Sequence, residues 1–259
     1  MKAIIIAAGP STRLRPLTED TPKCMLKIRG KPILQNILDV LRENGVNDIS
    51  VIRGYKKEKI IFPELTYFEN IDFGNTNILH SLICAREKLE EAKNEKEDVI
   101  ISYSDIWYGS SVVNKLKISK EHISAVVDID WQDYYEGRTD HPVDEAENVI
   151  FDDNQKIMKI GKHIFTHETP KNRQGEFIGL WKFTYKGIEI FLKHFDRLNL
   201  KLQKLDSFQN TKEWQKAYIT DIFQELIDEN EEIHCTIIQG NWKEFDTVQD
   251  FDKANGRGK

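Results

Sequence analysis

Residues 2–8 (KAIIIAA), apolar from Ala3 onward, are halted by Gly9-Pro10, the pattern of a strand buried on both faces of a parallel sheet. Ile33, Ile37, Leu38 and Leu41 then recur at helical spacing, with Pro32 at the expected first helical position and Asn44-Gly45 as the stop. Residues 48–52 read as a second strand and 65–68 as a short third. Ile78, Leu82, Ala85 and Leu89 place one apolar face along a single expected helix over 77–92. Residues 98–102 are another buried strand, and its end, Tyr103-Ser104-Asp105, falls where parallel strands open onto a binding crevice.

Beyond that point the pattern changes. Residues 124–130, 148–151, 157–160 and 176–183 are strand-like with intervening turns, as in a mixed or antiparallel extension of the sheet. Helices are expected at 188–195 and 219–228, a strand at 233–238, a last short helix at 248–254 and a frayed tail at 255–259. There is no internal repeat, low-complexity segment or long Pro/Ser linker, so the expectation is one continuous α/β domain over 1–259 with a Rossmann-type sheet.

Composition narrows the partners. Asp and Glu number 43 against 37 Lys and Arg in 259 residues, a net charge of -6, which argues against a nucleic-acid backbone and for a small ligand. Cys24, Cys84 and Cys235 are far apart with no CxxC pair, which excludes a zinc ribbon or disulfide framework and makes a reducing cytoplasm the simplest setting. The longest apolar run, 3–8, is far below the roughly 18 residues of a membrane span, and no signal-peptide pattern precedes it.

The loop after the first strand carries candidate chemistry. Residues 7–18 gather small residues, hydroxyls and two arginines, an arrangement suited to cradling an anion. Gly9 lets a ligand approach the backbone closely, Arg13 offers a bidentate permanent charge, and Lys23 adds a flexible point charge. The bland alternative is a glycine turn flanked by solvated arginines.

The whole string, AAG-x-x-x-R-L-x-P-L-T-x-x-x-P-K at residues 7–23, closely resembles the signature of the nucleotidyltransferases that make nucleotide-activated sugars and alcohols. It departs from that pattern at Pro10-Ser11, where relatives commonly place a second glycine. Tyr218-Ile219-Thr220-Asp221 resembles the family's stretch near the acceptor, and residues 242–247 resemble its metal-ligand turn. The resemblance implies a Rossmann-like (GT-A-like) three-layer sandwich around a mostly parallel mixed sheet, with residues 1–120 as the nucleotide-binding half and 121–255 as the acceptor-binding half. It also implies nucleotide contacts from Ala7, Ala8, Gly9, Ser11, Thr12, Asn75, Asn77 and Ser104, with Arg13 and Lys23 as the catalytic cations. Asp105 and Asp246 would hold Mg²⁺, with Glu244 as helper.

The acceptor is read from residues 131–142, which mix three large aromatic rings with acids and one arginine, and from Phe177–Phe183. Both segments look more like the cytidylyltransferase branch acting on phosphocholine or small phosphonates than like the hexose-1-phosphate branch. Arg138, Tyr135, Asp140, His141, Glu176 and Asp221 are the acceptor candidates. The expected partners are CTP or another nucleoside triphosphate and a small phosphorylated or phosphonylated acceptor; a homodimer is left open. Three alternatives stand. A hexose-1-phosphate enzyme would use UTP, dTTP or GTP. A metal-dependent glycosyltransferase would use the Asp128-Ile129-Asp130 motif, and a regulatory subunit would lack chemistry. His163, His167 and His80 read as surface residues and Cys24 as packing.

Overall fold

The computed structural model describes residues 1–257. Strand Lys2–Ala7 lies between Asp48–Arg53 and Val99–Tyr103 with all three parallel, and Thr66–Glu69 continues the parallel set beyond Asp48–Arg53. On the other side of Val99–Tyr103 the long strand Gln174–Phe183 runs antiparallel. It pairs in turn with Ile123–Asp128 and Asn148–Phe151, which carry His234–Ile238 and Ile157–Gly161 at their outer edges. The sheet is therefore parallel in its first half and mixed in its second, as the change of pattern near residue 105 predicts.

Alternation along the first strand shows why helices cover both faces. Ile4 and Ile6 point into one core with helices Ile78–Ile83, Arg86–Glu95, Tyr185–Lys201 and Ile219–Asp228. Ala3, Ile5 and Ala7 point into the other with Ile33–Glu43, Ser110–Ile118 and Val248–Ala254. A strand apolar on both faces needs both layers, because either face left wet would forgo its burial free energy.

Three expectations change, and helix Ser110–Ile118 and the ladder described last had no counterpart in the sequence pattern. The helix expected over 77–92 is two helices, broken where Cys84 and Ala85 form hydrogen bonds to the carbonyls three residues back, those of Ser81 and Leu82. Leu82, Ala85 and Leu89 are all fully buried across the break, so the apolar period carries no trace of it. Pro32 stands one position earlier than expected, as an extended cap before helix Ile33–Glu43. The tail is ordered through Arg257: the Asn255 side chain accepts from the Arg29 backbone at 2.8 Å, while Gly258 and Lys259 lie outside the described residues. Finally, strand Ile106–Tyr108 pairs antiparallel with Trp242–Glu244. Glu244 stands opposite Ile106, and the Phe245 amide donates to the Asp105 carbonyl at 3.0 Å, which joins the middle of the chain to its C-terminal part at the site.

Candidate active site

Two cavities meet at the carboxyl ends of the central strands. The first, about 160 Å³, is walled by Ala7, Ala8, Gly9, Ser11, Lys23 and Ser104 among others. The loop that forms it is pinned from below. Thr18 Oγ1 donates to the Ser11 carbonyl at 2.8 Å, and the Tyr55 hydroxyl donates to the Thr18 carbonyl at 3.0 Å. Gly54 is required beneath it, since a Cβ there would stand 2.6 Å from the Ala8 carbonyl oxygen. A Cβ on Gly9 would meet no protein atom within 4 Å, so protein packing is not what asks for glycine at that position.

At the junction lies Lys23. It is 6% exposed, and its Nζ donates to Asp105 Oδ2 at 2.8 Å and to Asp246. Arg13 Nη2 is 2.5 Å from Asp246 Oδ2. Burial works against ionising Asp246, but the positive charges of Lys23 and then Arg13 outweigh it and hold the carboxyl well below the usual range. Glu244 is the opposite case. Burial, then the charges of Asp246 and Asp105, push it up to about 7. Asp105 Oδ1 is buried without a hydrogen-bond partner. Two carboxylates that share Lys23, one of them with a buried oxygen lacking a partner, are the hard-oxygen donor set that Mg²⁺ takes, so these residues fit such an ion.

The second cavity, about 210 Å³, shares Asp105, Asn77, Ile78 and Tyr103 with the first. Asn77 caps helix Ile78–Ile83 with its side-chain oxygen, which accepts from the Ile78 amide at 2.9 Å. The walls are rich in acid. Glu176 accepts from the Tyr135 hydroxyl at 2.5 Å through Oε1, while Oε2 is buried and unpartnered. Burial raises its pKa well above the ordinary value despite that hydrogen bond. Glu147, also in this wall, accepts from Thr220 Oγ1 at 3.2 Å, and burial pushes its carboxyl up to about 7. Gly179 has φ +77°, and a Cβ there would lie 2.3 Å from the Tyr103 ring, so the turn in strand Gln174–Phe183 that opens the cavity needs glycine.

The structure thus brings Ala7, Ala8, Gly9, Ser11, Lys23, Asn77, Ser104 and Asp105 to one cavity, and Arg13, Tyr135, His141, Glu176, Glu244 and Asp246 to its neighbour. Five expected site residues lie elsewhere. Thr12 is exposed in a short turn outside both cavities. Asn75 bonds Asp72 at 2.7 Å on the surface, and Asp140 is exposed beside Thr139. Arg138 is not free for an anion: its side chain is 2% exposed, bonds both oxygens of Asp250 at 2.8 and 2.9 Å, and sits over the Tyr134 and Tyr135 rings. Asp221 closes the capping box of helix Ile219–Asp228, accepting from the Tyr218 amide at 2.8 Å and from Thr211.

Of the aromatic segment read as acceptor-binding, Tyr135 lines the second cavity, but the segment packs largely into the fold. Trp131 and Tyr135 are buried against Ala146, and the Tyr134 hydroxyl lies against the Glu244 carbonyl, so the rings hold the acidic turn. The DxD motif is also structural. Asp128 accepts from Trp242 Nε1 at 2.7 Å and the Gly240 amide at 2.8 Å, which leaves no arrangement for a metal pair with Asp130. His163 and His167 are exposed, as expected. His80 is not a free surface residue, since its Nε2 lies 2.9 Å from the Trp214 carbonyl oxygen and its ring meets Trp214 edge-on. Cys24 is buried, its thiol pushed up to about 12 by burial. Glu147, Glu145, Lys162 and Tyr218 are lining residues that the sequence reading missed. Tyr218 stood inside a recognised stretch; the other three carry no local pattern that separates them from surface charges.

A small-residue loop after the first strand, with acids at the ends of neighbouring strands, is the layout of a Rossmann-like α/β protein whose site lies at the carboxyl ends of its strands. The chain belongs to the nucleotidyl transferase family, whose model matches residues 2–134. It is 32% identical over 257 residues to the CTP:phosphoglutamine cytidylyltransferase of Campylobacter jejuni, covering 97% of this chain and 98% of that one. It is 41% identical over 93 residues to the choline-phosphate cytidylyltransferase of Streptococcus pneumoniae, covering 34% and 41%. Among solved structures, the CTP:phosphocholine cytidylyltransferase from Streptococcus pneumoniae shares the fold, with a TM-score of 0.71, 23% identity, and coverage of 98% of this chain and 97% of that one. Among the described residues, no helix is long and apolar enough to cross a membrane.

Proposed function

We propose that this chain transfers CMP from CTP to a small acceptor bearing a phosphate or phosphonate, with release of pyrophosphate. The observation that carries this reading is the pair of cavities sharing Asp105: one lies against the anion-cradling loop, the other against acids and aromatic rings. The full-length likeness to a cytidylyltransferase supports CTP as the nucleotide.

In this reading the base and sugar lie against the Ala7-Ala8-Gly9 backbone, and residues 1–120 and 121–255 act as nucleotide and acceptor halves of one unit. Arg13 and Lys23 exchange carboxylate partners for β- and γ-phosphate oxygens. Asp105 and Asp246 would hold Mg²⁺, which supplies neutralisation of charge at the α-phosphate. The acceptor oxygen attacks the α-phosphorus in line; the new P–O bond forms as the bond to the bridging oxygen breaks, and pyrophosphate takes that electron pair. A phosphate or phosphonate dianion is already nucleophilic, so positioning and charge stabilisation supply the rate without a general base. Glu147 and Glu176 stand in the second cavity as hydrogen-bonding groups for a polar, nitrogen-bearing tail. The setting in this reading is the cytoplasm.

Pyrophosphate release tests it, with Mg²⁺ and CTP, UTP, GTP, ATP or dTTP against phosphocholine, aminoethylphosphonate, phosphorylated amino-acid amides and hexose 1-phosphates. Release with CTP and a non-sugar acceptor is the expected result. Release only with another nucleotide and a hexose 1-phosphate would sink the acceptor assignment and keep the chemistry.

A further inference from the structure

The Asp246 carboxylate has two differently furnished edges. Oδ1 faces Lys23, which also reaches Asp105. Oδ2 faces His141, whose Nδ1 lies 3.1 Å away and 3.9 Å from Glu244 Oε2. Ligand atoms of His141, Glu244 and Asp246 all fall within 4.8 Å of one another. The imidazole is not a surface group: His141 is 4% exposed and lines the acceptor-side cavity. Its Nδ1 is buried, and despite the short distance to Asp246 it makes no hydrogen bond of acceptable geometry. A buried ring nitrogen without a well-aligned partner is costly, and a ligand shared with the two neighbouring carboxylates would complete it.

We propose that His141, Glu244 and Asp246 form a divalent transition-metal site on the Oδ2 side of Asp246, adjoining the Asp105–Asp246 pair, with His141 Nδ1 as a nitrogen ligand. The spacing suits it. Metal–ligand bonds of about 2.1 Å separate neighbouring ligands by about 3.0 Å in an octahedron and about 3.4 Å in a tetrahedron. The 3.1 and 3.9 Å separations need only a small side-chain adjustment to reach those edges. The donor set then decides the metal: two carboxylates alone suit Mg²⁺, whereas an added imidazole favours Mn²⁺, Co²⁺ or Zn²⁺. Arg13, with a side chain 55% exposed, is the group on Oδ2 that must give way, and it is free to turn toward solvent or a bound polyphosphate.

This inference concerns the same centre as the proposed nucleotidyl transfer and rests on that reading only for its biological use. Its test therefore reads metal binding without nucleotide or acceptor. Mn²⁺ is titrated into the full-length protein, and pulsed electron paramagnetic resonance is used to look for coupling to nitrogen. The expected result is a ¹⁴N coupling in the wild type that disappears in His141→Ala. In the same variant, Mn²⁺ affinity should fall at least tenfold, while Mg²⁺ affinity measured by competition changes less than twofold. Absence of nitrogen coupling in the wild type overturns the site, and that measurement stands even if the variant fails to fold. A parallel fall in Mn²⁺ and Mg²⁺ affinity also overturns it, because that is what loss of a simple His–Asp positioning contact would produce. Glu244→Gln keeps the imidazole and should weaken Mn²⁺ binding while retaining the nitrogen coupling at saturating metal; unchanged Mn²⁺ affinity would remove Glu244 from the site. Failure of pyrophosphate release would leave all of these readings untouched.

Discussion

The cavity beside residues 7–23 takes much of its wall from one loop and that loop's backbone, whereas the cavity beyond Asp105 gathers side chains from Arg13 to Asp246. The first presents backbone and one cation, Lys23. The second contains buried carboxyls, two of them pushed up to about 7 and a third raised well above its ordinary value. A loop can hold a polyphosphate because amide groups and one or two fixed cations suffice, and these come with a short stretch of chain. A cavity that recognises a small polar molecule needs groups converging from several directions, which only distant segments can supply.

The contrast can be tested from either side. At the junction, Lys23→Ala should lower the rate of a single turnover by about 10²–10³-fold, the usual cost of losing a positioned charge at a reacting phosphate. A turnover equal to wild type in rapid-quench measurements would take Lys23 out of the mechanism. Arg138→Ala should act on stability. It would leave buried Asp250 unpaired at a cost of about 3–5 kcal/mol by denaturant unfolding, whereas a stable variant with only a weakened acceptor KM would restore Arg138 to the ligand.

Two smaller effects belong to the acceptor side alone. Glu176→Ala should raise the acceptor KM on the order of tenfold, through loss of one hydrogen-bonding group, with the CTP KM within about twofold of wild type. Equal changes in both KM values would erase the division between the cavities. Glu147 gives the pH test. Its carboxyl is raised from 4.5 to about 7 on folding, so the folded state holds a proton that the unfolded state loses first. The stability linked to that proton is present below the unfolded value and is lost as pH rises toward about 7. Glu147→Gln should therefore gain in Tm relative to wild type as pH moves from 4.5 to 8, by about 2–4 °C for each kcal/mol relieved. A gap that stays constant across that range would mean Glu147 is ionised normally.

The first half of the sheet was legible because each strand declares itself through neighbours one or two residues away. The loop at 7–23 was legible for the same reason, and its Lys23 and Gly9 stand in the cavity wall. Arg138 and Asp221 misled because an arginine or an acid among aromatic or hydroxyl residues looks alike whether it meets a ligand or a partner in the fold. Arg138 is consumed by Asp250, 112 residues away, and Asp221 by the start of its own helix. Glu147 was invisible for the converse reason: nothing near it in the chain signals that burial will keep its carboxyl out of water.

By itself, the sequence determined the main strands of the sheet and most of its helices, the two-faced burial of the central strands and the place of the small-residue loop after the first strand, all of which follow from periodicity and composition over a few residues; helix Ser110–Ile118 and the ladder of Ile106–Tyr108 with Trp242–Glu244 carried no such signal. Tertiary structure decided which charges meet. Lys23 reaches Asp105 across 82 residues and Asp246 across 223, brought there by the short ladder of Ile106–Tyr108 with Trp242–Glu244. His141 likewise meets Asp246 across 105 residues, and Glu176 and Glu147 come from different segments to line the second cavity. Charge pairing and desolvation depend on distance and burial in space, and neither quantity exists until the chain has folded.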